Sequence, residues 1–205
     1  MDAKIIAIIA VAAVAVAGGA AAAVMMGSGG GNGGDSPKDA SQIASSFSKD
    51  YTGFFGTDFY LAEGATASSA KAYYPNGSTS GYGSDSNYIT FKAFDKTSEA
   101  KEEFDTNKAD YQAQIGKTVM GSTIKGTTEK SGLDDAIGYY NNFNMGTQSA
   151  YIYYTGYKAN LFFEGYIYLK NVSIDDDTEI AKLAKAINDA IANPIPTEQA
   201  KKYVS

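Results

Sequence analysis

The chain has 205 residues and a formal net charge of −6, and it contains no histidine, no cysteine and no arginine. The absent histidine removes the commonest general base and metal ligand, and the absent cysteine removes every thiol nucleophile. An acidic chain with scattered lysines lacks the basic surface of a nucleic-acid-binding protein, so we expect no nucleic-acid partner, and we expect neither a metal nor another cofactor.

Residues 5–26 form an apolar segment that no charged or strongly polar side chain interrupts. As a helix, this segment would extend roughly 33 Å at ~1.5 Å per residue, which matches the hydrocarbon thickness of a membrane. Lys4 precedes it and the next cation is Lys38, so the positive-inside rule predicts a cytoplasmic residue 1 and an extracytoplasmic remainder. The sequence therefore predicts a single-pass protein of the cell membrane.

Two interpretations of residues 1–26 are open. In the first, the segment is a permanent anchor. In the second, residues 5–17 are the apolar core of a signal peptide and small residues among 18–23 hold its cleavage site, so that the domain is secreted. We favour the anchor because the apolar run continues through Met26, beyond the usual ~7–15 residues of a signal-peptide core.

The stretch KIIAIIAVAAVAVAG, followed by small residues and a Gly/Ser/Asn-rich spacer, resembles the N-terminal anchors of extracytoplasmic surface proteins from methanogenic archaea. The resemblance covers residues 1–34 and implies a location at the cell surface, not an activity. Residues 27–36 are typical of a flexible linker with an r.m.s. reach of roughly 16–19 Å. Residues 37–205 then form one extracytoplasmic domain, long enough to bury a core without disulfides.

Within this domain, the residue pattern predicts helices near residues 37–51, 97–115 and 177–192. It predicts strands near residues 59–62, 66–74, 88–94, 118–125, 136–143, 148–155 and 158–169. Ser36 is the predicted cap of the first helix, and Gly116 is the predicted end of the second. The buried side of the second helix is predicted to carry Ala100, Phe104, Tyr111 and Ile115.

Consecutive late strands with short turns favour an antiparallel sheet, so the predicted fold class is α+β with the helices packed on one face of the sheet. The pattern resembles small secreted α+β domains of the PsbP/Mog1 kind. The shared features are a strand, an FDKTSEA helix start at residues 94–100, late aromatic strands and a final helix. This resemblance implies a fold and no particular site.

Residues 155–158 (TGYK) fit a two-residue hairpin loop with glycine at its first central position. That register pairs Tyr151 with Phe162 and Ile152 with Leu161, and it divides the side chains between two faces. The helix-covered face is predicted to carry Ala150, Ile152, Tyr154, Leu161, Phe163, Ile167 and Leu169. The other face is predicted to carry Tyr151, Tyr153, Phe162, Glu164, Tyr166 and Tyr168. Tyr88 and Lys92 extend this face if the strand at residues 88–94 is a neighbour.

We interpret this second set as a candidate surface for a ligand or partner, because large exposed apolar patches usually mark interaction sites. The alternative is that the aromatic residues only pair across strands, or lie under the first helix.

Several short motifs have competing structural explanations. Residues 46–49 (SFSK) and 68–71 (SSAK) match the S-x-x-K dyad of penicillin-recognising enzymes, but the S-D-N and K-T-G companions are absent, so we favour structural roles. Residues 175–177 (DDD) suit a helix start better than a calcium loop, which requires alternating oxygen ligands and a glycine. Asn76 and Asn171 begin N-x-S sequons and are candidate glycosylation sites.

The function predicted from the sequence is a membrane-tethered extracytoplasmic domain that binds a small solute, a glycan or an envelope protein without catalysis. Two alternatives come from other classes. An apolar N-terminal helix would also suit a pilin-like filament subunit, although the start of the run itself contains no acidic residue. A pair of carboxylates would suffice for a glycoside hydrolase if they lay about 5–9.5 Å apart in a cleft.

Overall fold

The computed structural model describes residues 38–55, 59–73, 87–119, 121–144 and 148–195. All of them belong to one compact unit, residues 35–205. The predicted anchor at residues 5–26, the linker, Ser36 and Asn76 lie outside the described residues. Within the described part of the chain, no helix combines the length and the apolar character needed to cross a membrane.

The architecture is α+β. The three helices are α1 (Ala40–Phe55), α2 (Thr97–Gln114) and α3 (Thr178–Ala192). The nine strands are β1 (Tyr60–Leu61), β2 (Ser69–Tyr73), β3 (Tyr88–Ala93), β4 (Thr118–Val119), β5 (Ser122–Thr123), β6 (Lys125–Thr127), β7 (Asp135–Asn144), β8 (Gln148–Lys158) and β9 (Leu161–Lys170). Seven form one sheet in the order β1-β2-β3-β9-β8-β7-β6, with antiparallel neighbours throughout, and β4 and β5 pair separately.

One face of the sheet is covered by α1 and α3. The Asp39 carboxylate accepts hydrogen bonds from the backbone N–H groups of Ser41 and Gln42, so Asp39 caps α1. From α1, Phe47 packs edge-on against Phe91 of β3, with ring centroids 5.7 Å apart. The apolar stripe of α3 is fully buried, at Ile180, Leu183, Ala184, Ile187 and Ile191. Each large side chain buried here contributes about 1.5–3 kcal/mol relative to exposure.

The prediction that all helices pack on one face is wrong, because α2 lies on the opposite face. Its Ala100 and Phe104 form a second buried cluster with Ile137 and Phe162. Phe162 and Phe163 are neighbours in β9 and are both fully buried, on opposite faces. Because β9 carries large aromatic side chains on both faces of the sheet, both faces must be shielded from water there. On the second face α2 provides this burial.

The predicted hairpin register is also wrong. The loop consists of Ala159 and Asn160, and Tyr151 lies opposite Tyr168 rather than Phe162, a shift of six residues. Gly156 is not a turn residue. It lies opposite Phe163, where an added Cβ would come within 2.6 Å of the Phe163 ring. Because six is an even number, the shift leaves every side chain on the face that the sequence predicted. The residues predicted for the helix-covered face are buried beneath α1 and α3.

The end of α2 also differs from the prediction. Ile115, expected on the buried side, is 41% exposed. The helix ends at Gln114, and Gly116 follows with φ +85°, a conformation that suits glycine. The next segment, predicted as one strand over residues 118–125, is divided into β4, β5 and β6, and a tight turn at Gly121 separates β4 from β5.

Candidate functional site

Six tyrosines lie directly opposite one another in a single row that crosses six neighbouring strands on the α2 face. We call these residues the tyrosine row: Tyr139, Tyr153, Tyr166, Tyr88, Tyr73 and Tyr60, from β7 to β1. Five strand spacings of ~4.8 Å make the row about 24 Å long. All six side chains are partly exposed.

The rings in the row pack against one another. Tyr139 and Tyr153 are stacked with ring centroids 4.6 Å apart and planes 15° from parallel, and Tyr153 meets Tyr166 at 4.7 Å and 62°. Tyr111 of α2 meets Tyr139 edge-on at 5.3 Å, at one end of the row. Nearly parallel rings this close overlap face to face, and strand side chains stand roughly perpendicular to the sheet. This pair therefore presents ring edges and hydroxyl groups outward rather than a flat aromatic face.

A second, shorter row lies alongside. Tyr151 and Tyr168 are opposite each other and stack at 4.8 Å, and Tyr151 also stacks with Tyr166 at 5.4 Å. The Tyr168 hydroxyl is 3.1 Å from that of Ser149. We call these two tyrosines and the tyrosine row together the tyrosine surface. Asn141 lies opposite Tyr151, and its buried Oδ1 has no hydrogen-bond partner among the described residues.

Polar and charged groups border the row on its other side. Glu164, Thr90 and Lys71 lie opposite one another on β9, β3 and β2. The Lys71 ammonium sits 4.5 Å from the centroid of the Tyr88 ring, a cation–π contact. Burial raises the pKa of the Glu164 carboxyl, and the nearby Lys92 opposes that shift. Lys92 itself donates a hydrogen bond of 2.6 Å to Glu103 of α2, and the two form an ion pair.

The hydroxyls of Tyr139, Tyr153 and Tyr166 have raised pKa values and remain protonated well above neutral pH. Burial raises the pKa of Tyr153 to about 12, and it raises the pKa values of Tyr139 and Tyr166 as well. A neutral phenol both donates and accepts hydrogen bonds, so the surface offers groups of both kinds.

The structure brings most of the predicted site residues together. Tyr88, Tyr151, Tyr153, Tyr166 and Tyr168 belong to the tyrosine surface, and Glu164 and Lys92 lie at its border. Phe162 is the exception, because it is fully buried against α2 and contributes nothing to an exposed surface.

Sequence reasoning missed Tyr60, Tyr73, Tyr139 and Asn141. Each of the three tyrosines lies next to a buried residue in its strand, so the alternation of the sequence could have placed it on the α2 face. Their alignment with Tyr166 depends on the pairing of strands distant in sequence, which the local pattern does not show.

The remaining motifs have structural partners. The Ser46 hydroxyl donates to the backbone carbonyl of Gln42 and accepts a hydrogen bond from the N–H of Ile195, both inside the fold. The Asp176 carboxylate accepts a hydrogen bond of 2.9 Å from Thr178 at the start of α3. Among the described residues, no group of three or more acidic side chains is placed to hold a metal ion. Asn171 is exposed and has φ +57°.

No protein-family model matches this chain, and the curated proteins contain no match to it.

Proposed function

We propose that this protein is a membrane-tethered extracytoplasmic binding domain without catalytic activity, and that the tyrosine surface is its binding surface. The observation that carries the proposal is the tyrosine row itself, six partly exposed aromatic residues aligned across one sheet face. The Phe104 cluster of α2 packs on β7, β8 and β9 near the β8–β9 loop, and Tyr111 of α2 contacts the row at Tyr139.

Tyrosine is well suited to such a surface. Its ring supplies a large contact area with few rotatable bonds, and its hydroxyl supplies hydrogen bonding, so little conformational entropy is lost on binding. The acidic composition and the absence of histidine, cysteine and arginine favour binding over catalysis and over nucleic-acid recognition. The apolar residues 5–26 and the linker would hold the domain just outside the membrane, within reach of envelope components.

The binding proposal is tested with the full chain in detergent, immobilised and incubated with culture extract. Retained compounds are identified by mass spectrometry for the wild type, Tyr168→Ser and Tyr88→Ser. We expect compounds that the wild type retains to be lost from both variants, while both keep a cooperative melt. The proposal is contradicted if the folded variants retain the same compounds as the wild type.

The location is tested separately, by adding protease to intact cells that express the full chain. Because the charge asymmetry around residues 5–26 favours an extracytoplasmic domain, we expect residues 37–205 to be digested. Complete protection of the domain in intact cells, together with digestion after lysis, would show that it faces the cytoplasm.

A further inference from the structure

We propose that the ligand of the tyrosine row is an extended neutral polysaccharide, which lies along the row and therefore crosses the strands. The inference rests on the proposed binding function and names the chemical class of its ligand. It depends on four features of the row: its repeat distance, its twist, the balance of charge beside it and the polar groups near it.

The repeat distance of the row matches a glycan better than a peptide. Neighbouring strands are ~4.8 Å apart, so the row offers one hydroxyl-bearing side chain at each step of that length. One pyranose unit in an extended chain has a closely similar length, so successive sugars meet successive tyrosines. An extended peptide rises ~3.3 Å per residue, and its side chains on one side repeat at about twice that distance. A peptide lying along the row would therefore fall out of step with the tyrosines.

The row is also twisted. Neighbouring strands in a sheet rotate by roughly 20–25°, so the outward direction of the tyrosines turns by about 100–125° between Tyr139 and Tyr60. A flat, rigid ligand would contact only part of such a row. A chain of pyranose units rotates about each glycosidic bond and is able to follow the turn.

The groups beside the row favour a ligand without charge. Glu164 and Glu103 supply two negative charges and Lys71 and Lys92 supply two positive charges, and Lys92 is already paired with Glu103. A charged polymer would therefore find no net attraction at this border.

The polar groups near the row suit sugar hydroxyls in particular. No hydrogen bond to the Glu164 carboxylate is found among the described residues, so this half-buried carboxylate is an acceptor for hydroxyl donors. The neutral phenols of the row supply donors and acceptors.

The test uses isothermal titration calorimetry on the full chain in detergent. The probes are cello-, xylo-, manno- and chito-oligosaccharides of two and six units, with an anionic hexasaccharide, hexagalacturonate, for comparison. We expect at least one neutral hexasaccharide to bind at least tenfold more tightly than its disaccharide and than the anionic hexasaccharide. A longer chain occupies more of the row, and each added contact increases the affinity.

Three variants locate the binding site. Tyr60→Phe and Tyr139→Phe each remove one hydroxyl from opposite ends of the row and keep the ring. Each is expected to weaken hexasaccharide binding about two- to tenfold, by the loss of one hydrogen bond. Tyr157→Phe is the matched control, because Tyr157 lies on the same face outside the row and packs on Phe104. The Tyr157→Phe variant should leave the affinity for the hexasaccharide unchanged.

The outcomes separate this inference from the binding proposal. Equal affinity for disaccharide and hexasaccharide, equal losses in all three variants, or no binding to any neutral oligosaccharide would overturn the polysaccharide inference. If no oligosaccharide binds while the extract experiment shows a protein retained through Tyr88 and Tyr168, the binding proposal stands and its ligand is a protein. If neither assay depends on the tyrosines, both are wrong.

Discussion

The backbone N–H of Ile195 donates a hydrogen bond of 2.7 Å to the hydroxyl oxygen of Ser46, which fastens the chain beyond α3 to the middle of α1. Ser46 is 1% exposed and Ile195 is 7% exposed, so water does not replace this bond easily. We expect Ser46→Ala to lower the free energy of unfolding by about 1–3 kcal/mol, because it leaves a buried N–H without an acceptor. Urea denaturation followed by circular dichroism measures the change.

Ser45→Ala is the control for this prediction. Ser45 is equally buried, but its hydroxyl donates only to the Ser41 carbonyl in the same helix. Removing that local bond should change stability by less than about 0.5 kcal/mol, since alanine also has the higher helix propensity. Equal losses in both variants would mean that the Ile195 bond is not what makes Ser46 important.

The tyrosines of the sheet predict a loss of stability in alkali. Burial raises the pKa of Tyr153 to about 12 and also raises those of Tyr139, Tyr154 and Tyr166, whereas an unfolded tyrosine titrates near 10. The folded state therefore keeps protons that the unfolded state releases. Its stability is complete below pH about 10 and falls as the pH rises from there toward the folded values, by up to about 1.4 kcal/mol per pH unit for each tyrosine.

Near-ultraviolet absorbance of tyrosinate and far-ultraviolet circular dichroism, recorded on one sample, test this behaviour. We expect these buried phenols to ionise together with loss of secondary structure, and the chain in concentrated urea to titrate at the ordinary value. Complete ionisation of all tyrosines near pH 10, with the circular dichroism unchanged, would contradict the burial of Tyr154 and the partial burial of Tyr139, Tyr153 and Tyr166.

The sequence predicted the two faces of the late strands correctly and their pairing incorrectly, for one physical reason. Alternation along β8 and β9 places each side chain on a face without reference to the partner strand. The register depends on which residues form the hairpin loop. Gly156 fitted the pattern of a turn glycine, but in the structure it leaves space for the Phe163 ring. The local sequence pattern does not show which face of the sheet α2 covers, because that depends on how the chain crosses over after β3.

The hairpin loop also carries strain that one substitution should relieve. Ala159 has φ +51°, a left-handed conformation that costs a residue with a Cβ about 1–2 kcal/mol. Ala159→Gly removes that cost and keeps the N–H that donates to Asp134 at 2.7 Å, while the unfolded chain gains entropy. We expect a net gain of about 0.5–1 kcal/mol in the free energy of unfolding, measured by urea denaturation.

Asn171→Gly is the matched substitution, at φ +57°. Asparagine tolerates this conformation better than alanine does, so the same change there should yield little or no gain. A gain at Asn171 that equals the gain at Ala159 would show that the effect does not come from the Cβ of alanine.

Two glycines lie opposite one buried tyrosine, and one of them leaves space for its ring. Tyr154 of β8 is fully buried and lies between Gly138 of β7 and Gly165 of β9, directly opposite both. An added Cβ at Gly138 would come within 2.8 Å of both the Tyr154 ring and the Tyr153 carbonyl oxygen. At Gly165 the nearest atom would be the Tyr88 carbonyl oxygen, at 3.1 Å.

We therefore expect Gly138→Ala to lower the free energy of unfolding by about 1–3 kcal/mol, because backbone and ring must both move, and Gly165→Ala to cost less. Since the clash with Tyr153 forces β7 and β8 apart, Gly138→Ala should also disturb the stack between Tyr139 and Tyr153. Urea denaturation measures the stability, and the calorimetric affinity for the hexasaccharide measures the effect on the row. If Gly165→Ala is the more destabilising variant, the Tyr154 ring does not occupy the space that Gly138 leaves.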